Sequence, residues 1–359
     1  DHIHASPAAV AVINLVSTVT WRPRVVLAMS AHTRDRLFTP RLADRLRSVA
    51  DVDLDVRIED FAQLEARAAT ALEGAEILLT GWGAPRVDAR ALDLMPRLRA
   101  VVHAAGSVKF LVRPEVFERG IQVTTSADAN AVPVAEFTFA AIVYAAKRAD
   151  RFAREFRAHR TMDLRQEMRL PPEAVGANDI TVGIVGASRV GRRVLELLTH
   201  LSVDVLITDP YLSRADASAL GVTKTTLDDL MARSDIISLH APALPETRHL
   251  IGKDQLAAMR DNAVLINTAR GALVDTEALI DELRSGRIEA VLDVTDPEPL
   301  PADSPLFELP NVRLTPHIAG ALGNEVPRLL QQAIGEIERL AAGQPLSHPV
   351  TAADLARIA

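Results

Sequence analysis

VGIVGASRVG, residues 182–191, carries the reading of the whole chain. A run of apolar β-formers stops at Gly186, and a second glycine, Gly191, follows five residues later. In a strand–turn–helix loop that cradles a pyrophosphate, three glycines make the tight turn, admit the phosphates to the backbone and let helix pack on strand. Gly186 and Gly191 supply the first and the third. Ser188 stands at the second, where a β-carbon and a hydroxyl narrow the approach without closing it. After the loop, Val190, Val194, Leu197, Leu198 and Leu201 share one helical face, so the helix can lie on a sheet with its free N–H groups toward the phosphates. The next strand, DVLITDPY, ends at Asp209, 18 residues past Gly191. That is close to the ~20-residue offset of the carboxylate that holds ribose hydroxyls. Two glycines alone would fit many tight turns; with the strand, the helix and Asp209 in place the segment reads as a dinucleotide loop. Asp209 would repel a 2′-phosphate, which favours NAD (NADH) and disfavours NADP.

Outward from this loop the chain alternates strands and helices, the pattern of parallel sheets covered on both faces. RVVLAM (24–29) reads as a strand, followed by a helix carrying Phe38, Leu42, Leu46 and Val49 at four- and three-residue spacing. VDLDV, EILLT (76–80), AVVHA and IQVTT continue the series, with helices around 62–72 and 88–95, to about residue 125. Residues 127–156 read as one long helix with an Asn130 cap and Pro133 inside its first turn. MRLPPEAVGAND (168–179) reads as a linker. A second series then starts at TVGIVG and runs through DIISLH, AVLINTA, EAVLDV and VRLTPH. A last helix, from about Glu325 to Ala342, has Val326, Leu329, Leu330, Ile334, Ile337 and Leu340 on one stripe.

The totals of this 359-residue chain suit two domains: 48% hydrophobic residues can fill two cores, and 24% charged residues are ordinary for a globular protein. A net charge of −7 argues against a nucleic-acid or anionic-membrane surface. With no cysteine there are no disulfides and no thiolate metal or nucleophile sites, and a cytoplasmic location is expected. Residues 7–21 are the most membrane-like stretch, but Asn14, Ser17, Thr18 and Thr20 interrupt it. It follows DHIH rather than a basic stretch, which makes a poor signal peptide, so residues 1 to about 20 are read as an appendage.

Ligands in open parallel sheets sit beyond the carboxyl ends of the strands. INTARGALVD (266–275), VLDVTDPEPL (291–300) and LTPHIAG (314–320) place Arg270, then Asp293, Asp296 and Glu298, then His317 there. Each has an ordinary alternative as a strand-end cation, a solvated acid or a structural histidine. Together they match hydride transfer to a 2-oxo acid. A substrate carboxylate needs a planar, bidentate cation, which arginine supplies. The carbonyl oxygen needs a proton donor near neutral pH, the niche of histidine, and an adjacent glutamate favours the imidazolium form.

From about residue 75 to 350 the chain resembles the D-isomer-specific 2-hydroxyacid dehydrogenase family. The blocks ERGIQVT (118–124), NAVPVAEF (130–137), GIVGASRVG, DIISLHAP, INTARGALVD, VLDVTDPEPL, LTPHIAG and GQPLSHPV stand in that family's order and approximate spacing. The resemblance implies a Rossmann cofactor domain, residues 129–321, inserted into a flavodoxin-like substrate domain formed by residues 1–128 and 322–359. Both would be doubly wound parallel-sheet α/β units with the active site in the cleft between them. It implies Arg270 as the arginine that binds substrate and polarises its carbonyl, His317 as the acid/base and Glu298 as its partner. Asp293 would hydrogen-bond the nicotinamide carboxamide. The cofactor-binding set becomes Gly186, Ser188, Arg189, Val190, Gly191, Asp209, His240, Ala241, Pro242, Thr268, Ala269, Asp293 and His317. Asn130 would lie near the substrate, its other reading being a helix cap. Small-molecule 2-oxo or 2-hydroxy acids are the expected partners, and a homodimer the expected assembly.

Two stretches depart from the relatives. HAAGSVKF (103–110) stands where a glycine-rich loop usually ends in Val-Asp. Gly106, Ser107 and Val108 still present backbone N–H groups to a carboxylate, but the aspartate is missing and Lys109 is nearby. Phosphoglycerate dehydrogenases place an arginine–serine pair near TGWGAP (80–85), where this chain has Gly81 and Trp82. Phosphoglycerate is therefore disfavoured, and no regulatory domain is expected beyond residue 359. Trp82 suits an apolar or aromatic side chain on the substrate, packing under its loop being the plainer alternative. Formate dehydrogenases carry glutamine where Glu298 stands, so Glu298 argues for a hydroxy acid. The alternative function is an NAD-responsive binding protein of the same fold without turnover.

Overall fold

The computed structural model describes residues 21–160 and 175–355, so the N-terminal appendage and most of the 168–179 linker lie outside the described residues. The first five strands, β1 (Arg24–Ala28), β2 (Asp51–Ile58), β3 (Ile77–Thr80), β4 (Ala100–His103) and β5 (Gln122–Thr125), form a parallel sheet in the order β5-β4-β3-β1-β2. Neighbouring residues alternate between two cores. Val25 and Leu27 join one with Leu42 and Leu46, while Val26 and Ala28 join the other with Leu72 and Leu92. This burial on both faces is why the strands read as nearly continuous apolar runs.

The helices of this unit are α1 (Ala31–Leu37), α2 (Pro40–Val49), α3 (Ala66–Gly74), α4 (Ala89–Asp93) and α5 (Pro114–Glu118). The single helix expected through Phe38 is two: Phe38 ends α1, Thr39 accepts the N–H of Leu42 to cap α2, and Pro40 occupies its first turn.

The long helix expected over 127–156 is also two, α6 (Ala127–Ala146) and α7 (Ala149–His159). Arg148 takes a left-handed conformation, φ 53°, at the break, and its Nη1 lies 3.8 Å from Oε1 of Glu289. The carbonyl of Ala146 accepts the N–H of Gly176 at 2.8 Å, so tertiary contacts replace the next helical bond. Ser126, not Asn130, occupies the N-cap position, which places Asn130 inside the helix and Pro133 beyond its first turn. Among the described residues, α6 is the one helix long and apolar enough to cross a membrane, and over half of that stretch is buried within the protein. Its apolarity has a local cause: Ala129 belongs to the first unit's core, whereas Ala135, Ala141 and Ile142 belong to the second's.

The second sheet takes β6 (Asn178–Val185), β7 (Ser202–Thr208), β8 (Thr223–Lys224), β9 (Ile236–Leu239), β10 (Val264–Asn267), β11 (Glu289–Leu292) and β12 (Val312–Leu314). All are parallel, in the order β12-β11-β10-β9-β6-β7-β8. The order reverses at β6, so the crevice for a ligand opens at its carboxyl end, at Gly186. Helices α8 (Arg189–Leu198), α9 (Arg214–Ala219), α10 (Leu227–Arg233), α11 (Lys253–Ala258) and α12 (Thr276–Arg284) connect these strands. On α8, Val194 and Leu198 are buried as expected; Leu195 joins them, Leu197 is half-buried, and Leu201 lies past the helix end.

The chain then returns to the first unit. Helix α13 (Pro327–Ala341) buries Leu329, Leu330, Ile334 and Ile337 in its core, and Arg45 of α2 grips Glu338 through two hydrogen bonds of 2.7 and 2.6 Å. A short strand, β13 (Pro349–Val350), closes the first sheet antiparallel to β5. The fold is thus two α/β domains, one inserted in the other.

Candidate active site

The glycine loop is shaped by what glycine lacks. Gly186 has φ +102°, and a β-carbon there would stand 2.6 Å from the nitrogen of Ala241. A β-carbon on Gly191 would stand 2.2 Å from the carbonyl oxygen of Gly186. The loop therefore packs backbone to backbone on residues 240–241 and on the start of α8. Ser188 caps that helix, its hydroxyl accepting the N–H of Gly191 at 3.2 Å. Arg189 opens the helix with its Nε 3.2 Å from Asp128, and Val190 packs against the core beneath. Asp209, at the end of β7, accepts the N–H of Ala187 and that of Tyr211, each at 2.7 Å. The expected carboxylate is thus beside the loop, and it also braces it.

Below the loop, His240 is turned into the protein: it pairs with the Ser238 hydroxyl at 2.9 Å, and burial lowers its pKa to about 3. Ala241 and Pro242 continue this segment. Pro242 is fixed by the Thr247 hydroxyl, which donates to its carbonyl at 2.6 Å.

Three loops converge beyond β10, β11 and β12. After β10, buried Asn267 accepts the N–H of Ala269 at 3.0 Å and donates to the carbonyl of Arg270 at 2.8 Å, which holds the turn. Thr268 shares a 2.7 Å hydrogen bond with Thr138 of α6. A β-carbon on Gly271 would stand 2.0 Å from the carbonyl carbon of Thr295, so the Arg270 turn lies flat against the loop that carries Glu298. The Arg270 side chain keeps an exposed face, yet the protein around it lowers its pKa by desolvation, with Glu298 opposing that shift. It stays cationic.

After β11, Asp293 is 2% exposed and its carboxylate accepts from the Thr315 hydroxyl at 2.6 Å and from the N–H groups of Ile318 and Ala319 at 2.9 Å each. Its own carbonyl accepts the N–H of His317 at 2.9 Å. His317 sits at φ +54°, a conformation that costs energy in a residue with a side chain and is held by these bonds. Its Nδ1 lies 2.5 Å from Oε1 of Glu298, the shortest contact of the group, with both side chains about half exposed. Glu298 stands between Pro297 and Pro299, each preceded by a cis peptide bond. Asp296 is drawn aside by Arg248 at 3.2 Å.

The first domain meets these loops through Asn130. Its Oδ1 accepts the N–H of Ala321 at 3.0 Å, and its Nδ2 would be 3.7 Å from a β-carbon on Gly106. One side chain thus stands between the Gly106–Ser107–Val108 loop and the segment that follows His317. Trp82 is 37% exposed with the Arg36 guanidinium 5.5 Å above its ring. His103, at the end of β4, is buried against the Thr80 hydroxyl at 2.9 Å, and burial lowers its pKa to about 4.

Asn267, Gly271 and Thr315 went unmarked in the sequence. Only Gly271 left a signal, as the glycine beside Arg270. The work of Asn267 and Thr315 is hydrogen bonding to neighbouring loops, which spacing does not encode.

Residues 139–319 match the family described as D-isomer specific 2-hydroxyacid dehydrogenase, NAD binding domain. The chain belongs to this family. A glyoxylate reductase from Aeropyrum pernix is 37% identical over 265 residues, covering 72% of this chain and 78% of that one. A D-3-phosphoglycerate dehydrogenase from Mycobacterium leprae is 36% identical over 259 residues, covering 72% of this chain. The chain spans about half the length of the phosphoglycerate dehydrogenases it matches: 48% of the M. leprae protein and 49% of the Archaeoglobus fulgidus one. Among solved structures, the TT0316 protein of Thermus thermophilus superposes with a TM-score of 0.66 at 31% identity, covering 91% of this chain and 100% of that one. For this 2-hydroxyacid dehydrogenase family member the match runs from within α6 to Ala319, so the glycine loop, Asp209, Arg270, Asp293, Glu298 and His317 all fall inside it.

Proposed function

We propose that this protein is an NAD-dependent oxidoreductase that interconverts a 2-oxo acid and its D-2-hydroxy acid. The observation that carries the reading is the 2.5 Å pair of His317 and Glu298, set on strand-end loops beside Arg270. Arg270 binds the substrate carboxylate with its guanidinium fork and draws on the carbonyl oxygen. His317, oriented through Nδ1 by Glu298, turns its other ring nitrogen to the substrate. It gives the carbonyl oxygen a proton in reduction and takes the hydroxyl proton in oxidation. The Gly106–Val108 backbone adds N–H donors for the carboxylate.

The chain's residues fit a dinucleotide: the Gly186–Gly191 loop, the N-terminus of α8 and the carboxylate of Asp209 offer a phosphate cradle and a ribose acceptor. When bound, the nicotinamide supplies or accepts the hydride. Asp209 supports NAD over NADP, because a 2′-phosphate beside it would face like charge. Asp293 has spent three acceptor positions on the His317 loop and retains room for one more donor, the nicotinamide amide. Trp82 favours a bulky side chain on the substrate over a phosphate. By family analogy the assembly is a homodimer, which sedimentation analysis would test.

The test is consumption of NADH with a panel of glyoxylate, pyruvate, hydroxypyruvate, branched-chain 2-oxo acids and phenylpyruvate. Turnover with a member supports the reading, and preference for the bulky members supports Trp82 in the pocket. No turnover across the panel, with NADH binding shown separately, would overturn the enzyme reading in favour of an NAD-responsive binding protein.

A further inference from the structure

The loop that presents Gly106–Val108 is secured on its own side. Val108 is fully buried, its carbonyl accepts the N–H groups of Leu111 and Val112 at 3.0 and 3.1 Å, and the Ser107 hydroxyl accepts the N–H of Lys109 at 3.2 Å. One side chain leaves this loop for the other domain. Lys109 extends its ammonium to the carbonyl of Ala243, 134 residues away in sequence, and donates to it at 3.4 Å. Ala243 follows the His240–Pro242 segment on which Gly186 packs, and that segment is itself braced: the Thr247 hydroxyl bonds Pro242 and accepts the N–H of Leu244 at 2.8 Å. Next to Lys109, Phe110 is 78% exposed, so its side chain adds no packing to the tip of the loop beyond what Val108 supplies.

We infer that Lys109 is a positioning residue: it latches the substrate loop to the segment beneath the nucleotide loop, so that the substrate and cofactor sites are assembled together in the closed cleft. The inference rests on the enzyme reading above. Asn130, held inside α6, accepts a bond from Ala321 in the segment after His317. Lys109 makes a bridge toward the cofactor side, from a flexible stem. An ammonium has three donors and can release one carbonyl and take it again as the domains open and close, which suits lysine better than a short, fixed side chain. The bond crosses between domains, so its loss acts on domain closure rather than on the stability of either core.

Lys109→Met and Lys109→Arg in the full chain test this. In Lys109→Met, which keeps the stem, the KM for the preferred 2-oxo acid should rise on the order of tenfold, as for loss of one charged hydrogen bond. Its kcat and its NADH affinity without substrate should change far less, and its melting temperature should stay near that of the unmodified chain. Lys109→Arg should recover most of the KM, because a guanidinium on a similar stem also donates to a carbonyl. Small-angle scattering with and without NADH gives a readout independent of turnover, with contraction of the unmodified chain reduced in Lys109→Met. Unchanged KM and contraction in Lys109→Met, or no recovery in Lys109→Arg, would overturn the latch. If the unmodified chain turns over no 2-oxo acid, the enzyme reading fails instead, and scattering alone decides the latch.

Discussion

Asp293 does its visible work on a neighbour. Its carboxylate gathers Thr315, Ile318 and Ala319, and so holds His317 in a left-handed turn facing Glu298. Replacing Thr315 with valine removes one of these bonds and should lower stability by roughly 1 kcal/mol. Its larger effect should be on turnover, because the turn that carries His317 loosens; thermal melting and kcat measured together separate the two. His317→Ala and Arg270→Ala should each lower turnover by at least a hundredfold, on the scale of a lost acid/base or substrate clamp. NADH should still bind both, as fluorescence titration would show; undiminished turnover in either would remove that residue from the mechanism. Ser188 reads differently in sequence and in space. The sequence sets it at a glycine position near phosphate, whereas the fold gives its hydroxyl to the helix end. Ser188→Gly should therefore leave NADH affinity equal or tighter at a cost of a few tenths of a kcal/mol, and Ser188→Ala should cost about 1 kcal/mol of stability.

At the scale of elements, periodicity and turn chemistry located most strands and helices. The stripe on α13 and the strand before Gly186 are buried as their spacing foretold. The split at Phe38 follows from Thr39 and Pro40, a local signal, whereas the two failures along 127–159 share a tertiary cause. Residues 134–159 carry no proline or glycine to break a helix, and the break at Arg148 depends on Glu289 and Gly176, which are distant in sequence. Asn130 looks like a cap because asparagine favours caps, yet its partner is Ala321, 191 residues away. Gly271 belongs to this scale too, since it lets one loop lie on another. Gly271→Ala should drive the Arg270 turn off the Thr295–Glu298 loop and abolish turnover, while both glycine-loop contacts and NADH binding persist. Loss of NADH binding as well would show that the damage spreads through the whole domain.

For the whole molecule, two buried histidines set a pH dependence. Burial lowers the pKa of His103 to about 4 and that of His240 to about 3, so both are neutral in the folded protein where the unfolded chain would protonate them. The unfolded state then binds more protons below the ordinary histidine value of 6.5, and stability falls as pH drops from there toward about 4. Each group contributes a loss of roughly 1.4 kcal/mol per pH unit in that window. Melting temperatures at pH 7 and pH 5 should show the decline, and His103→Gln should flatten it. Equal slopes with and without His103 would remove it as a source.

The alternating elements, the nucleotide loop and the reactive side chains at strand ends could be read from order alone, because turn geometry and side-chain periodicity are set by near neighbours. The pairing of His317 with Glu298 across 19 residues followed only from the family resemblance, while the bracing of that turn by Asp293 and the bonds that Asn130 and Lys109 make to Ala321 and Ala243 left no signal in the sequence. Such contacts exist only once loops distant in sequence are packed together, and no local pattern records which backbone groups that packing brings within hydrogen-bond reach.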